Sequence, residues 1–355
     1  MTNRPTRYRE IDVSGAPTQL GEQIGEAARD EIRGFAEIAL KRVQRTVNVS
    51  RERALSIARQ CIPFVEAYDS DMLDELRGVS AASGVSLEDL MLLQVRNQLT
   101  ERPAEGCTAF SVASDGAESG FGTVAQNWDA DPALDPFTVV LTRRPIGKPA
   151  LMTITQAGLI SYMGMNNAGI GTCVNTLPAP SRDVGVPHYF TLRGIYEATS
   201  LDKAVHAVSR AERAIPANIM MITPQGPADL EVTIDNVHVL RPNDRCVLVH
   251  TNHCVHPDLF AINDDFPELI ESHPRLARIG NLIANGQPRI NIEQMKTALS
   301  DHTGHPKSIC RHENDHPTNG FWATVFSVII EPAAGRMHVS RGNPCQSPFE
   351  IYELN

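Results

Sequence analysis

Cys107 follows Gly106 and opens the run Cys107-Thr108-Ala109-Phe110-Ser111, where apolar and small polar residues alternate as in a strand. A cut between Gly106 and Cys107 would make that cysteine a chain start, carrying thiol and α-amine on one residue. An unperturbed α-amine titrates at about 7.7–8.0, so it can act as base to its own thiol. The alternative is a small apolar cysteine packed on a buried strand. Six residues do not separate the two, so the rest of the chain must.

Gln126-Asn127-Trp128-Asp129 ends a second strand-like run, Phe121 to Trp128, joined to the first through a turn at Asp115-Gly116. A hairpin sets the end of its second strand beside the start of its first. Asp129 then falls near Cys107, where a carboxylate can orient an α-amine. Its other reading is an aspartate in a turn with Asp131 and Pro132.

Asn175 and Asn252 each lie at the end of a strand-like run. Two fixed amide donors that converge can hold a developing oxyanion, whereas asparagines that do not converge are ordinary turn residues. Arg311 sits in the polar stretch Asp301 to Thr318 and offers a fixed cation, or a solvated arginine. His302, His305, His312 and His316 share that stretch, and His250, His253 and His256 form a second group. Histidine is the commonest metal ligand. The spacings match no zinc pattern, and Pro257, Pro306 and Pro317 oppose a helix that could present them, so no metal is expected.

These residues need elements to place them. Leu20, Ile24, Ala28, Ile32, Phe35, Ala39 and Val43 recur at helical spacing. Ser50 reads as an N-cap, Pro63 as an interruption, and Ser86-Leu87-Glu88-Asp89 as a capping box. The first hundred residues are therefore expected to be helical scaffold, followed by a polar connector over Thr100–Glu105. Beyond it the period changes to that of strands. Strands are expected over 107–113, 121–128, 137–142, 151–155, 218–223, 230–234, 237–240, 246–250, 322–330 and 336–340. A pair of helices spans 187–210, and further helices fall over 274–284 and 292–299. Hairpin-linked strands with paired helices favour an antiparallel α+β layering over alternating βαβ units.

Of the 355 residues, 42% are hydrophobic and 21% charged, a globular composition with material for a sizeable core. The net charge of −10 argues against nucleic-acid or anionic-membrane binding. The polar, arginine-containing start is not a secretory signal, and no run reaches the ~20 apolar residues of a membrane span. Seven scattered cysteines without a Cys-x-x-Cys fit free thiols in a reducing compartment, so a cytoplasmic protein is expected. No Gly-x-x-x-x-Gly-Lys-Ser/Thr occurs and the glycines at 164, 169 and 171 form no dinucleotide fingerprint, so no nucleotide cofactor is expected.

Several of these pieces, in order, resemble one family. They are Gly106-Cys107-Thr108, Gln126-Asn127-Trp128-Asp129, Thr155 to Ile160 continuing to Asn175, Gly185-Val186-Pro187, His250-Thr251-Asn252-His253-Cys254 and Ser308-Ile309-Cys310-Arg311. The chain is similar to the isopenicillin N acyltransferase family of self-processing, N-terminal-nucleophile enzymes, related more distantly to choloylglycine hydrolases and penicillin V acylases. The resemblance implies an αββα sandwich. It also implies scission before Cys107, giving an α chain of residues 1–106 and a catalytic β chain of residues 107–355. It makes Cys107 the nucleophile, Asp129 the anchor of the new α-amine, Asn252 and Asn175 oxyanion donors, and Arg311 a support. Thr108, Asn127 and His253 beside them are the expected substrate contacts. Ala109, Gln126, Ala130 and Asp131 depart from the family's residues, which implies a different acyl pocket and less efficient scission. The expected partners are a small-molecule amide and the chain's own two products, with self-association left open. Linear-amide hydrolysis is expected first because nothing marks a coenzyme A site, with acyl transfer as the runner-up and a non-catalytic binding protein as the third reading.

Overall fold

A computed structural model describes residues 5–99, 106–242, 246–265, 272–284, 289–317 and 320–355. The expected connector over Thr100–Glu105 and the last residue of the 301–318 stretch lie outside the described residues.

The chain opens with strand β1 (Glu10–Gly15), then helices α1 (Pro17–Ala27), α2 (Arg29–Val43), α3 (Arg51–Tyr68), α4 (Ser70–Ser83) and α5 (Leu87–Val95). The Ser50 and Ser86 hydroxyls accept hydrogen bonds from the backbone N–H groups of Arg53 and Asp89, capping α3 and α5. Pro63 does not interrupt α3 as the sequence suggested; it lies inside the helix. Gly21 and Gly78 let α1 and α4 touch backbone to backbone. A Cβ on Gly21 would lie 1.9 Å from the Glu75 carbonyl, and one on Gly78 would lie 2.3 Å from that of Thr18.

Strands β2 (Gly106–Val112) and β3 (Thr123–Ala130) form the expected hairpin. Next come β4 (Thr138–Pro145), β5 (Leu151–Gln156), β6 (Met163–Asn166) and β7 (Gly171–Asn175). The helical pair is α6 (His188–Tyr196) and α7 (Leu201–Ser209). Strands β8 (Ala217–Thr223), β9 (Gly226–Val232), β10 (Val237–Leu240) and β11 (Val247–His250) follow. The last part holds a short α8 (Ile262–Asp265), α9 (Ser272–Ile283), α10 (Ile292–Leu299), β12 (Ala323–Glu331), β13 (Arg336–Arg341) and β14 (Phe349–Glu353).

The strands make two sheets, ordered β1-β4-β5-β6-β7-β8-β9-β10 and β11-β2-β3-β12-β13-β14. They pack face to face, β2 and β3 against β7 and β8. Helices α1, α2, α6 and α7 cover the larger sheet, and α9 and α10 cover the smaller. The result is a four-layer αββα sandwich.

Alternation along β2 reflects this layering. Cys107 and Ala109 belong to the core between the sheets, whereas Phe110 and Val112 pack with Ile279, Ile283, Met295 and Leu299 under the outer helices. The first segment is not purely helical. Strand β1 pairs in parallel with β4, and Tyr8 donates from its hydroxyl to Asp135 and from its backbone to the Tyr352 hydroxyl. Among the described residues, the main core cluster draws on both sides of residue 106.

Candidate active site

The smaller sheet explains why the candidate residues meet. In the β2–β3 register, Gly106 lies opposite Asp129 and Cys107 opposite Trp128. Strand β11 runs antiparallel to β2 with His250 opposite Ala109. Two residues further, the chain carries Asn252 to the level of Cys107. There the Asn252 Oδ1 accepts the Cys107 backbone N–H at 2.9 Å, so a side chain continues the ladder that the backbone has ended. On the far side of β3, Thr324 of β12 lies opposite Asp129, and its hydroxyl donates to Asp129 Oδ1 at 2.6 Å.

Asp129 is buried, and its Oδ2 has no hydrogen-bond partner among the described residues. That carboxylate lies against Gly106: a Cβ there would be 3.4 Å from Oδ2. Burial pushes the Asp129 carboxyl up to about 6, against the opposing pull of Arg275, the Thr324 hydroxyl and Arg311. Arg311 is buried too. Its backbone N–H donates to the Thr324 hydroxyl at 2.9 Å and its carbonyl accepts the Thr324 N–H at 2.9 Å. Thr324 thus joins Arg311 to Asp129 in one string.

Sequence reasoning missed Arg275. It lies in α9 and is 1% exposed. Its Nη1 donates to the Cys107 carbonyl at 2.5 Å and to the Thr108 hydroxyl at 2.9 Å, and its Nη2 donates to Asn252 Oδ1 at 2.8 Å. Two donors on Oδ1 fix which way the Asn252 amide faces. The signal was present in the sequence. Arg275, Ile279 and Ile283 share one face of a helix, and an arginine on an apolar stripe is a buried charge that must have a reason.

Other expected residues take different work. Both candidate oxyanion amides donate to the scaffold. Asn252 Nδ2 donates to the Thr176 carbonyl and hydroxyl, and Asn175 Nδ2 donates to the Thr251 carbonyl at 2.8 Å. Asn175 therefore holds the end of β11 against the end of β7. Asn127, an expected substrate contact, lies on the opposite face of β3 from Trp128. Its side chain points to the helical side of the sheet, donates to the carbonyls of Leu299 and Ile309, and accepts from the Ser327 hydroxyl. Thr108 also points that way, to Arg275. His253 is bonded through Nδ1 to the Ser272 hydroxyl at 2.6 Å and packs on His273. Burial, with help from His273 and His250, lowers it to about 4, so its ring is neutral near pH 7.

The histidine groups divide in an order that sequence spacing did not show. The 250–256 group divides: His250 bonds Glu231, His253 bonds Ser272, and His256 gathers with His238 and Asp258. In the 301–317 loop, by contrast, His302 and His312 meet Cys310 and Cys345. The expectation of no metal rested on spacing along the chain. It overlooked Cys345, which the turn after β13 returns to the loop.

The fold is a four-layer αββα sandwich with Cys107 near the start of an inner strand. The family model for acyl-coenzyme A:6-aminopenicillanic acid acyl-transferase matches residues 116–346, and the chain belongs to that family of amide-acting enzymes. The match begins downstream of Cys107, so it bears on the core rather than on the cut. The acyl-coenzyme A:6-aminopenicillanic-acid-acyltransferase 40 kDa form of Emericella nidulans is 25% identical, over 97% of this chain and 95% of that protein. Among solved structures, a mutant of the conjugated bile acid hydrolase of Clostridium perfringens is similar at a TM-score of 0.45 and 13% identity, over 70% of this chain and 97% of that one. Penicillin V acylase of Agrobacterium tumefaciens gives a TM-score of 0.46 and 12% identity, over 70% and 86%. No helix among the described residues is long and apolar enough to cross a membrane.

Proposed function

We propose that the chain cuts itself between Gly106 and Cys107 and that mature Cys107 then hydrolyses a linear amide through an acyl-cysteine thioester. The observation that carries this reading is that the site is built around the backbone of Cys107. Asn252 Oδ1 takes its N–H, Arg275 takes its carbonyl, and a buried carboxylate with one unpartnered oxygen among the described residues lies against Gly106. A merely structural cysteine needs none of this. A residue that is to become an ammonium-bearing chain start needs an anion and an acceptor in place beforehand.

In the first stage the Cys107 thiol adds to the Gly106 carbonyl carbon and the C–N bond breaks. The nitrogen takes the thiol proton to become an amine, and Gly106 is left as a thioester on Sγ. Water hydrolyses that ester to a Gly106 carboxylate and a free thiol. Glycine suits the scissile position because it tolerates strained geometry. The new ammonium would meet Asp129 and Asn252 Oδ1, and its charge would favour the ionised form of Asp129.

In the second stage the α-amine accepts the thiol proton as Sγ attacks the substrate carbonyl, then passes it to the leaving amine. For Asn252 to serve as an oxyanion donor its amide would have to leave Thr176. The Cys107 side chain faces the core between the sheets beside Trp128, which packs on Tyr162 and Phe326. This supports an apolar acyl group and leaves polarity to the amine half, as in an N-acyl amine or N-acyl amino acid.

Acyl transfer is the second reading, favoured by the family to which the chain belongs. In it an amine replaces water at the thioester, and an acyl-coenzyme A is the donor class to try.

Intact mass and turnover test these readings together. Freshly purified protein should give two fragments meeting at Gly106/Cys107, and Cys107→Ala should give one full-length, inactive species. A single full-length species from the wild type, with activity that survives Cys107→Ala, overturns the reading. Amine release from N-acyl amines and amino acids should be lost on thiol alkylation and should survive brief exposure to a chelator. If no amide is turned over while an acyl-coenzyme A plus an amine is, transfer replaces hydrolysis.

A further inference from the structure

We propose that His302, Cys310, His312 and Cys345 form a closed site for a soft divalent cation of the Zn2+ class, whose work is to fix Arg311. The four side chains come from the loop after α10 and the turn after β13, and their ligand atoms all lie within 4.8 Å of one another. The separations among Cys310, Cys345 and His312 are close to those of a tetrahedron, whereas His302 sits closer to His312 than a shared ion would hold it. Zn2+ bonds of about 2.3 Å to sulfur and about 2.0–2.1 Å to nitrogen place two tetrahedral sulfurs about 3.7–3.8 Å apart, sulfur and nitrogen about 3.5–3.6 Å apart, and two nitrogens about 3.3–3.4 Å apart. The sulfurs of Cys310 and Cys345 are 3.7 Å apart. His312 Nε2 lies 3.7 Å from Cys310 Sγ and 3.4 Å from Cys345 Sγ, and the Nε2 atoms of His302 and His312 are 2.9 Å apart. Two sulfurs and two imidazole nitrogens are the donor set of structural zinc, and four protein donors leave no open position for chemistry.

A supporting shell is present. Asn343 Nδ2 donates to Cys310 Sγ at 3.5 Å and to the Arg311 carbonyl at 2.6 Å. An N–H aimed at a thiolate and at the neighbouring backbone is the kind of outer contact that orients a metal ligand. Arg311 lies between two ligands in the chain, and its backbone bonds to Thr324, which bonds to Asp129. A cation here would clamp the loop on both sides of Arg311 and so hold the far end of the string that reaches Gly106.

The test is metal analysis of the untagged full chain under reducing conditions, with Zn2+ as the probe. About one Zn2+ per chain should remain after dialysis. Cys345→Ser and His302→Ala should each weaken retention by more than about tenfold, whereas Cys246→Ser and Cys107→Ala should not change it. Co2+ replacement should give the sulfur-to-metal charge-transfer band and tetrahedral d–d bands. Chelation should speed hydrogen exchange at the Arg311 and Thr324 amides. Sub-stoichiometric Zn2+ with no cobalt spectrum overturns the site, as does a Cys310–Cys345 disulfide in the freshly prepared metal-free protein. Exchange at those two amides that is indifferent to chelation overturns the positioning role. None of these readouts depends on whether Cys107 cuts the chain.

Discussion

The buried charges around Glu75 and those around Asp129 are built to opposite rules. In the scaffold, Glu75 of α4 meets Arg143 of β4 and Arg193 of α6 at 2.7 and 2.8 Å, one arginine on each carboxylate oxygen. Burial alone would raise the Glu75 carboxyl, but Arg193 and Arg143 outweigh it and hold it below its ordinary value. At the candidate site, Asp129 also has two buried arginines near it, yet burial wins and the carboxyl rises to about 6. The difference is contact. The arginines around Glu75 touch it, whereas Arg275 spends hydrogen bonds on Cys107, Thr108 and Asn252, and Asp129 Oδ2 is left over among the described residues. A buried ion that is fully paired ties elements together. One that keeps an unpaired oxygen among the described residues holds its proton to higher pH.

The sharpest way to break the comparison is to exchange the two carboxylates' fates. Asp129→Asn should lower amide turnover by about 10²-fold or more and slow scission, with the chain still folded. Amine release and time-resolved intact mass are the readouts, and turnover close to wild type would make Asp129 another structural acid. Glu75→Ala should do the reverse. It leaves buried Arg143 without its acid partner and Arg193 with Glu197 alone, and should cost about 3–5 kcal/mol in denaturant unfolding, while folded molecules are still cut.

A smaller effect distinguishes the clusters by pH. In the uncut Cys107→Ala chain, Asp129 holds its proton more tightly folded than unfolded. The folded state therefore binds more protons between the ordinary 3.8 and about 6. Stability from this group is complete below the lower value and is lost as pH rises through about 6, by roughly 2–3 kcal/mol. Adding Asp129→Asn should flatten that segment of the stability–pH curve; an unchanged slope would refute the raised carboxyl. Smallest of all, Thr324→Val removes the donor to Asp129 Oδ1 and the acceptor of the Arg311 N–H. It should cost about 1–3 kcal/mol and move the Asp129 transition to still higher pH.

What could be read in advance follows how local the cause is. Cys107 and Asp129 meet through a hairpin, and a hairpin's register is a short-range property, so Asp129 was legible. The bounds of α10 and β10 coincide with the stretches expected from periodicity, 292–299 and 237–240. Asn252 reaches Cys107 through a sheet edge formed by distant chain, which spacing alone could not show. Strand β1 was missed because its six residues pair with β4 across the helices between them. Arg275 and the His302–Cys345 group were missed for a related reason. A side chain's neighbours across a fold carry no fixed separation in sequence, and only the oddity of a charge on an apolar helix face hinted at the first.

The parallel pairing of β1 with β4 also bears on what a cut at Gly106 would leave behind. The residues before the cut own one strand of a sheet whose other strands come after it, and Tyr8 is bonded to Asp135 and Tyr352 on the far side. Scission there would nick the covalent chain without opening a seam in the fold. The two products would travel through gel filtration as one particle and part only in denaturant. The short piece would behave less as a discarded leader than as a permanently docked subunit.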